Sequence, residues 1–212
     1  MLRARSTFGA VVLAAALLAA TGCSSGSDPA PKPGASETAV PTELGTFLSK
    51  VAKPGTTPFT AAYEVLQKLG GGVNDITVES SPPAWRITAG DVVVIGGPDP
   101  VTCRISASTC RRGIDESALS GTGIFSGFLA DATAQELRAN ATKAGASAPT
   151  FGTQTVGGVA LDCAVVATGP VTACLTPQGV FGLVDDPTRR AALTNYATTA
   201  PTEPISPPFP PS

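Results

Sequence analysis

The sequence predicts a mainly β (α+β) domain, an antiparallel meander with one or two helices packed on it. Three observations carry this. From Phe59 onward, short runs alternate apolar and polar side chains, as half-buried strands do, and they recur about every ten residues. Glycine- and proline-bearing turn signals separate the runs. One stretch alone carries both a helix start, Thr133-Ala134-Gln135-Glu136, and a helix stop, Gly145.

Taken in order, Phe47, Leu48 and Val51 are spaced for a short amphipathic helix that opens the domain near Glu43 and ends by Pro54-Gly55. Phe59, Ala61, Tyr63 and Val65 alternate as in a strand, while the helix formers of Glu64–Leu69 leave strand and helix both open there. Gly70-Gly71-Gly72 is a turn, and with no Lys-Ser/Thr behind it, it is no phosphate loop. Ile76 and Val78 mark a strand ended by Ser80-Ser81-Pro82-Pro83. Trp85–Thr88 and Asp91–Ile95 make two more around Ala89-Gly90, and Val101–Ile105 and Ser108–Arg112 form a small hairpin.

The capping box predicts a helix over 134–144, with Leu137, Ala141 and Ala144 as its apolar stripe and Ile124, Phe125, Phe128 and Leu129 as bulk just upstream. Val156-Gly157-Gly158-Val159 is a two-residue hairpin signal. Val159, Leu161, Cys163 and Val165 share one strand face opposite Asp162. Strands follow at Val171–Leu175, Val180–Val184 and Ala191–Tyr196. Six prolines between Pro201 and Pro211 give an extended, polyproline-like end, read as a disordered tail over 198–212 in preference to a docking peptide.

The N-terminus reads as an export signal. Arg3 and Arg5 precede an uncharged apolar run of 13 residues, Phe8–Ala20, shorter than the ~20 that span a bilayer. Ala20-Thr21-Gly22-Cys23 resembles a bacterial lipobox, which implies cleavage after residue 22, diacylation of Cys23 and attachment to the extracytoplasmic face of the cell membrane. Two acyl chains anchor far more durably than one. The Ser-, Pro- and Gly-rich stretch 23–42 is a flexible tether, and 43–197 is the folded domain.

Composition narrows the chemistry. Losing Arg3 and Arg5 with residues 1–22 takes the net charge from −2 to −4, unclustered, which argues against nucleic acid as a partner. The chain contains 0 histidines, so Ser-His-Asp and Cys-His nucleophiles, His-bearing zinc sites and His general bases are excluded. No Ser-x-x-Lys motif is present, and the adjacent acids Asp115-Glu116 and Asp185-Asp186 read as solvated turn formers. No catalytic residue, metal or cofactor is therefore expected.

Besides Cys23 four cysteines remain, allowing three pairings. Cys103 and Cys110 flank one hairpin, and Cys163 and Cys174 are equidistant from the turn at Thr168-Gly169, so local geometry prefers Cys103–Cys110 and Cys163–Cys174. An exported compartment permits both disulfides.

The lipobox, the tether, Phe59-Thr60-Ala61-Ala62-Tyr63 opening a meander, the two cysteine hairpins, the helical insertion between them and the last strand at Leu193-Thr194-Asn195-Tyr196 form a pattern. Over roughly 45–200 it resembles actinobacterial lipoproteins related to the outer-membrane lipoprotein carriers and the mycobacterial glycolipid-binding lipoproteins. The resemblance implies a curved, incomplete antiparallel half-barrel that wraps helices and holds an apolar ligand such as a lipid. Related half-barrels in periplasmic sigma-factor regulation bind protein partners, which makes an envelope protein the alternative partner. Phe59, Tyr63, Trp85, Phe125, Phe128 and Leu129 are the candidate ligand-lining residues, chosen because they are bulky in a chain of small side chains.

Overall fold

A computed structural model describes residues 39–128 and 131–212. The expected signal peptide, Cys23, nearly all of the expected tether and Leu129 lie outside the described residues.

The first element is α1 (Thr42–Ser49), which buries Leu44, Phe47 and Leu48. Six strands then meander: β1 (Phe59–Gln67), β2 (Val73–Ser81), β3 (Ala84–Ala89), β4 (Val92–Gly96), β5 (Val101–Arg104) and β6 (Thr109–Arg112). The connection that follows carries α2 (Glu116–Leu119), a short 3-10 turn and α3 (Asp131–Ala141). Five more strands complete the domain: β7 (Thr150–Val156), β8 (Val159–Val166), β9 (Val171–Leu175), β10 (Phe181–Asp185) and β11 (Arg189–Ala197).

All eleven strands form one antiparallel sheet in the order β6-β5-β4-β3-β2-β1-β11-β10-β9-β8-β7. The two meanders are joined where the first strand pairs with the last, Thr60 opposite Ala197 through Gln67 opposite Arg189. β1 is thus paired on both sides, and this double ladder settles Glu64–Gln67 as strand despite their helix-forming composition.

One face of the sheet carries the main core. Phe59, Ala61, Tyr63 and Val65 of β1 meet Ile76, Val78, Ile87, Val94, Ala173, Phe181 and Leu193 from other strands. Leu44 and Phe47 of α1, Leu119 of α2 and Leu137 of α3 cover them. On β8 the residues facing this core are Ala164 and Val166, while Leu161 and Cys163 join Cys174 and Leu183 in a smaller cluster on the opposite face. The β8 stripe read from the sequence therefore faces away from the main core, and its last member, Val165, is exposed.

The C-terminal half curls. A Cβ at Gly157, in the β7–β8 turn, would lie 2.7 Å from the Leu193 carbonyl oxygen of β11, although β8, β9 and β10 intervene in the sheet. Gly157 also has φ +56° and Gly158 φ +78°, the two left-handed residues of a type I′ hairpin turn, so glycine is required there both by space and by backbone.

Both disulfides join directly opposed residues. Cys103 faces Cys110 across β5 and β6, and Cys163 faces Cys174 across β8 and β9, with Cα–Cα distances of 4.0 and 3.9 Å. Loops this short restrict the unfolded chain by roughly 2.5–3 kcal/mol each in the chain-entropy account.

Two expectations need correcting. The helix expected over 134–144 runs from Asp131 to Ala141. Thr133 lies inside it, buried, and its hydroxyl donates to the Phe128 carbonyl at 2.5 Å, so it does not act as the cap. The tail expected to be disordered lies on the outer face of the sheet. Ile205 and Phe209 pack against Val93, Ile95, Val101 and the Cys103–Cys110 pair. Pro211 bridges Cys110 in parallel, the Ser212 N–H donates to the Cys110 carbonyl at 3.0 Å, and the Arg112 N–H donates to the Ser212 carbonyl at 3.4 Å. Prolines do not prevent this, because the tail takes up few ladder hydrogen bonds and contributes mainly its two large apolar side chains.

Candidate functional site

The aromatic residues proposed from the sequence to line a ligand space are placed apart. Phe59 is fully buried at the start of β1, with its ring centroid 6.4 Å from that of Tyr196. Tyr63 is buried, its hydroxyl donates to the Phe181 carbonyl at 2.8 Å, and burial pushes the phenol far above its ordinary range, with Tyr196 adding to the shift. Trp85 lies flat on Gly96, the residue opposite it in β4, where any Cβ would fall 2.0 Å from the indole. These three residues are therefore packing elements of the sheet.

Phe125 and Phe128 are brought together, edge to face with centroids 6.1 Å apart. Sequence reasoning missed their partner. The Arg189 guanidinium lies over both rings, at 5.0 and 4.5 Å from their centroids, a cation–π arrangement in a half-dry setting. Its Nε is 3.0 Å from the Asp186 carboxylate. Asp186 is not the solvated turn former expected from the Asp185-Asp186 pair: it is 3% exposed, and its Oδ1 accepts from Thr188 N, Thr188 Oγ1 and Arg189 N. Glu136 of α3 completes the group, 4.0 Å from Arg189. Burial, and then the Asp186 charge, raise its carboxyl above the ordinary value against the pull of Arg189 and Lys143. The group ties α3 and the 123–128 segment to the start of β11. A cleft of about 460 Å³ beside it is lined by Gln67, Leu69, Glu116, Phe125 and Arg189.

A different place has the features of a binding surface. β7 ends the sheet on one side, and every residue from Thr150 to Thr155 is exposed. Phe151 stands 41% exposed, 6.3 Å from Phe47 of α1 between ring centroids. Between α1 and the β7–β8 hairpin lies a cleft of about 390 Å³, lined by Glu43, Thr46, Phe47, Lys50, Phe151 and Asp162 among others. The Lys50 ammonium and the Asp162 carboxylate face each other at its rim, 3.4 Å apart, which leaves the exposed Glu43 as the one lining charge without an ion pair among the described residues. Gly152, with nothing within 4 Å of where its Cβ would be, leaves the cleft open at one side.

The backbone on this edge can be assigned. In a two-residue hairpin the residues flanking the turn, Val156 and Val159, form a hydrogen-bonded pair, and hydrogen-bonded and non-bonded pairs then alternate. Thr150, Gly152, Gln154 and Val156 therefore bond inward to β8. The 3.9 Å Cα spacing of Cys163 and Cys174 marks a non-bonded pair on the other side of β8, which requires the same assignment. The N–H and C=O groups of Phe151, Thr153 and Thr155 thus point outward, and among the described residues no backbone or side-chain group is bonded to them.

These features define a class: a mainly β domain of one antiparallel sheet whose strand order ends at β6 and β7, with three short helices among the described residues. No protein-family model matches the sequence, and no curated protein is a significant match. Among solved structures the chain is distantly similar to the MucA/MucB complex of Pseudomonas aeruginosa, with TM-score 0.45 and 15% identity over 76% of this chain and 59% of that one. A structure of MucB gives TM-score 0.45 and 11% identity over 77% and 62%. A LolA superfamily protein from Nitrosomonas europaea gives TM-score 0.32 and 11% identity over 74% and 90%. The chain spans only 59% and 62% of the MucB chains it matches.

Proposed function

We propose that this chain is a lipid-anchored binding protein on the extracytoplasmic face of the cell membrane, and that it holds a polypeptide partner on the outside of its sheet. The observation that carries the reading is the filled face beneath the helices. Phe59, Phe128, Phe181, Leu119 and Leu137 are each no more than 2% exposed there, together with the aliphatic residues around them. An apolar ligand such as a lipid, the other reading, would have to displace side chains that already satisfy one another. Exchanging one well-packed apolar filling for another gains little burial. The two disulfides suit an oxidising compartment, and the export signal with Cys23 supplies the route and the anchor.

Native mass spectrometry of the full chain, purified in detergent and then offered phospholipids and fatty acids, tests the function. The expected spectrum shows the chain without stoichiometric lipid. A lipid that co-purifies at one per chain and leaves only on unfolding would contradict the reading. The anchor is tested separately: Cys23→Ala is expected to release the chain from membranes or to leave it as an uncleaved precursor, and fractionation like the parent's would refute it.

A further inference from the structure

We infer that the free edge of β7 is where the partner binds, and that the occupant is an extended segment of another polypeptide, which adds as a further strand and places an apolar side chain in the cleft between β7 and α1. This rests on the polypeptide-binding function proposed above and names its site.

Natural sheets protect their edges with short strands, charges, prolines, bulges or a covering segment. Among the described residues, β7 has none of these from Thr150 to Thr155. Its seven residues, Thr-Phe-Gly-Thr-Gln-Thr-Val, carry no charge and no proline, and its pairing with β8 runs without a register break. Four of the seven are Thr or Val, whose branched side chains suit a strand. The outward N–H and C=O groups of Phe151, Thr153 and Thr155 repeat every second residue, and the group that matches such a row is another extended backbone. A lipid chain offers no hydrogen bonds to it.

The neighbouring cleft fixes the side-chain chemistry. Phe47 and Phe151 supply its apolar surface, the rim charges Lys50 and Asp162 are already paired, and the Glu43 carboxylate is left over, so a strand without acidic residues and with a large apolar residue fits best. A second copy's β7 offers the same backbone row, but its one large aromatic side chain, Phe151, is already engaged with its own Phe47.

The test uses the full chain in detergent and a phage-displayed library of random peptides. Recovered peptides are expected to lack acidic residues and to be rich in β-branched residues, with one large apolar side chain. Their binding should slow hydrogen exchange at the amides of Phe151, Thr153 and Thr155. Thr153→Pro, which removes an outward donor and no bond to β8, should weaken binding roughly tenfold. As a check that leaves the protein untouched, N-methylating alternate residues of a selected peptide should abolish binding in one register and spare it in the other.

A footprint confined to the tail-covered face, or to α1 without β7, would overturn this inference and leave polypeptide binding standing. Failure to recover any peptide overturns the inference, and stoichiometric lipid uptake in the same preparation overturns the proposed function as well. A concentration-dependent dimer of the free chain that Thr153→Pro abolishes would assign the edge to a second copy and refute the partner segment.

Discussion

β6 and β7 terminate the same sheet at opposite ends, and they are protected to opposite degrees. β6 is four residues long, carries Arg111 and Arg112, and is covered by the chain's own C-terminus through Pro211 and Ser212. The outer face behind it is closed as well, by Ile205 and Phe209. β7 is seven residues long, uncharged and exposed from Thr150 to Thr155, with an aromatic cleft beside it. Both hairpins lie next to a disulfide, so rigidity does not separate them. The difference lies in what covers the backbone. The C-terminus seals one edge through Pro211 and Ser212, while among the described residues nothing covers the longer one, as the proposed partner segment requires.

Proline scanning of β7 is expected to show the largest effect. Gln154→Pro removes a donor bonded to β8 and should cost about 3 kcal/mol, whereas Thr153→Pro, one residue away with an outward N–H, should cost well under half of that. Equal losses in chemical denaturation would mean that the outward groups are already bonded, and would erase the contrast between the edges.

Next in size is the disulfide beside β6. Replacing Cys103 and Cys110 by serine should lower stability by about 2.5 kcal/mol and loosen the tail, since the Ser212 N–H and hydroxyl both donate to the Cys110 carbonyl. Reduced stability with a tail that still resists proteolysis would show that the tail holds without its hairpin.

Deleting residues 201–212 is the smaller perturbation. It uncovers Val93, Ile95 and Val101 and should cost about 2 kcal/mol for two partly buried side chains, Ile205 and Phe209. It should also create a second bare edge, so the truncated chain should self-associate in analytical ultracentrifugation. A truncated chain as stable and as monomeric as the parent would mean that the tail seals nothing.

Much of this architecture is legible in the sequence, and the exceptions share a cause. Alternation marks β1, β2 and β8, glycine pairs mark the turns, and each cysteine pair brackets its own turn. What alternation cannot say is which face meets the larger core, because β8 is apolar on both: Leu161 and Cys163 on one side, Ala164 and Val166 on the other. The same two-sidedness holds the signal that the tail is packed. Val92-Val93-Val94-Ile95 is apolar without a break, the pattern of a strand buried on both faces, so something had to cover Val93 and Ile95. The prolines hid what did. The Asp186–Arg189–Phe125–Phe128 group joins residues more than sixty positions apart and left no local pattern. Strand order is non-local in the same way. Nothing in Thr150–Val156 announces an edge, since that follows only once β1 pairs with β11 and puts β7 last.

Residue-resolved hydrogen exchange on the full chain without a partner tests the central claim, that β7 is open where β6 is sealed. The amides of Phe151, Thr153 and Thr155 should exchange nearly as fast as in an unfolded chain. Those of Gly152 and Gln154, alternating with them and bonded to β8, should be protected, as should Arg112, which donates to Ser212. Protection at Thr153 equal to that at Gln154 would mean that the edge is already covered, and the account of β7 as a vacant binding edge would be wrong.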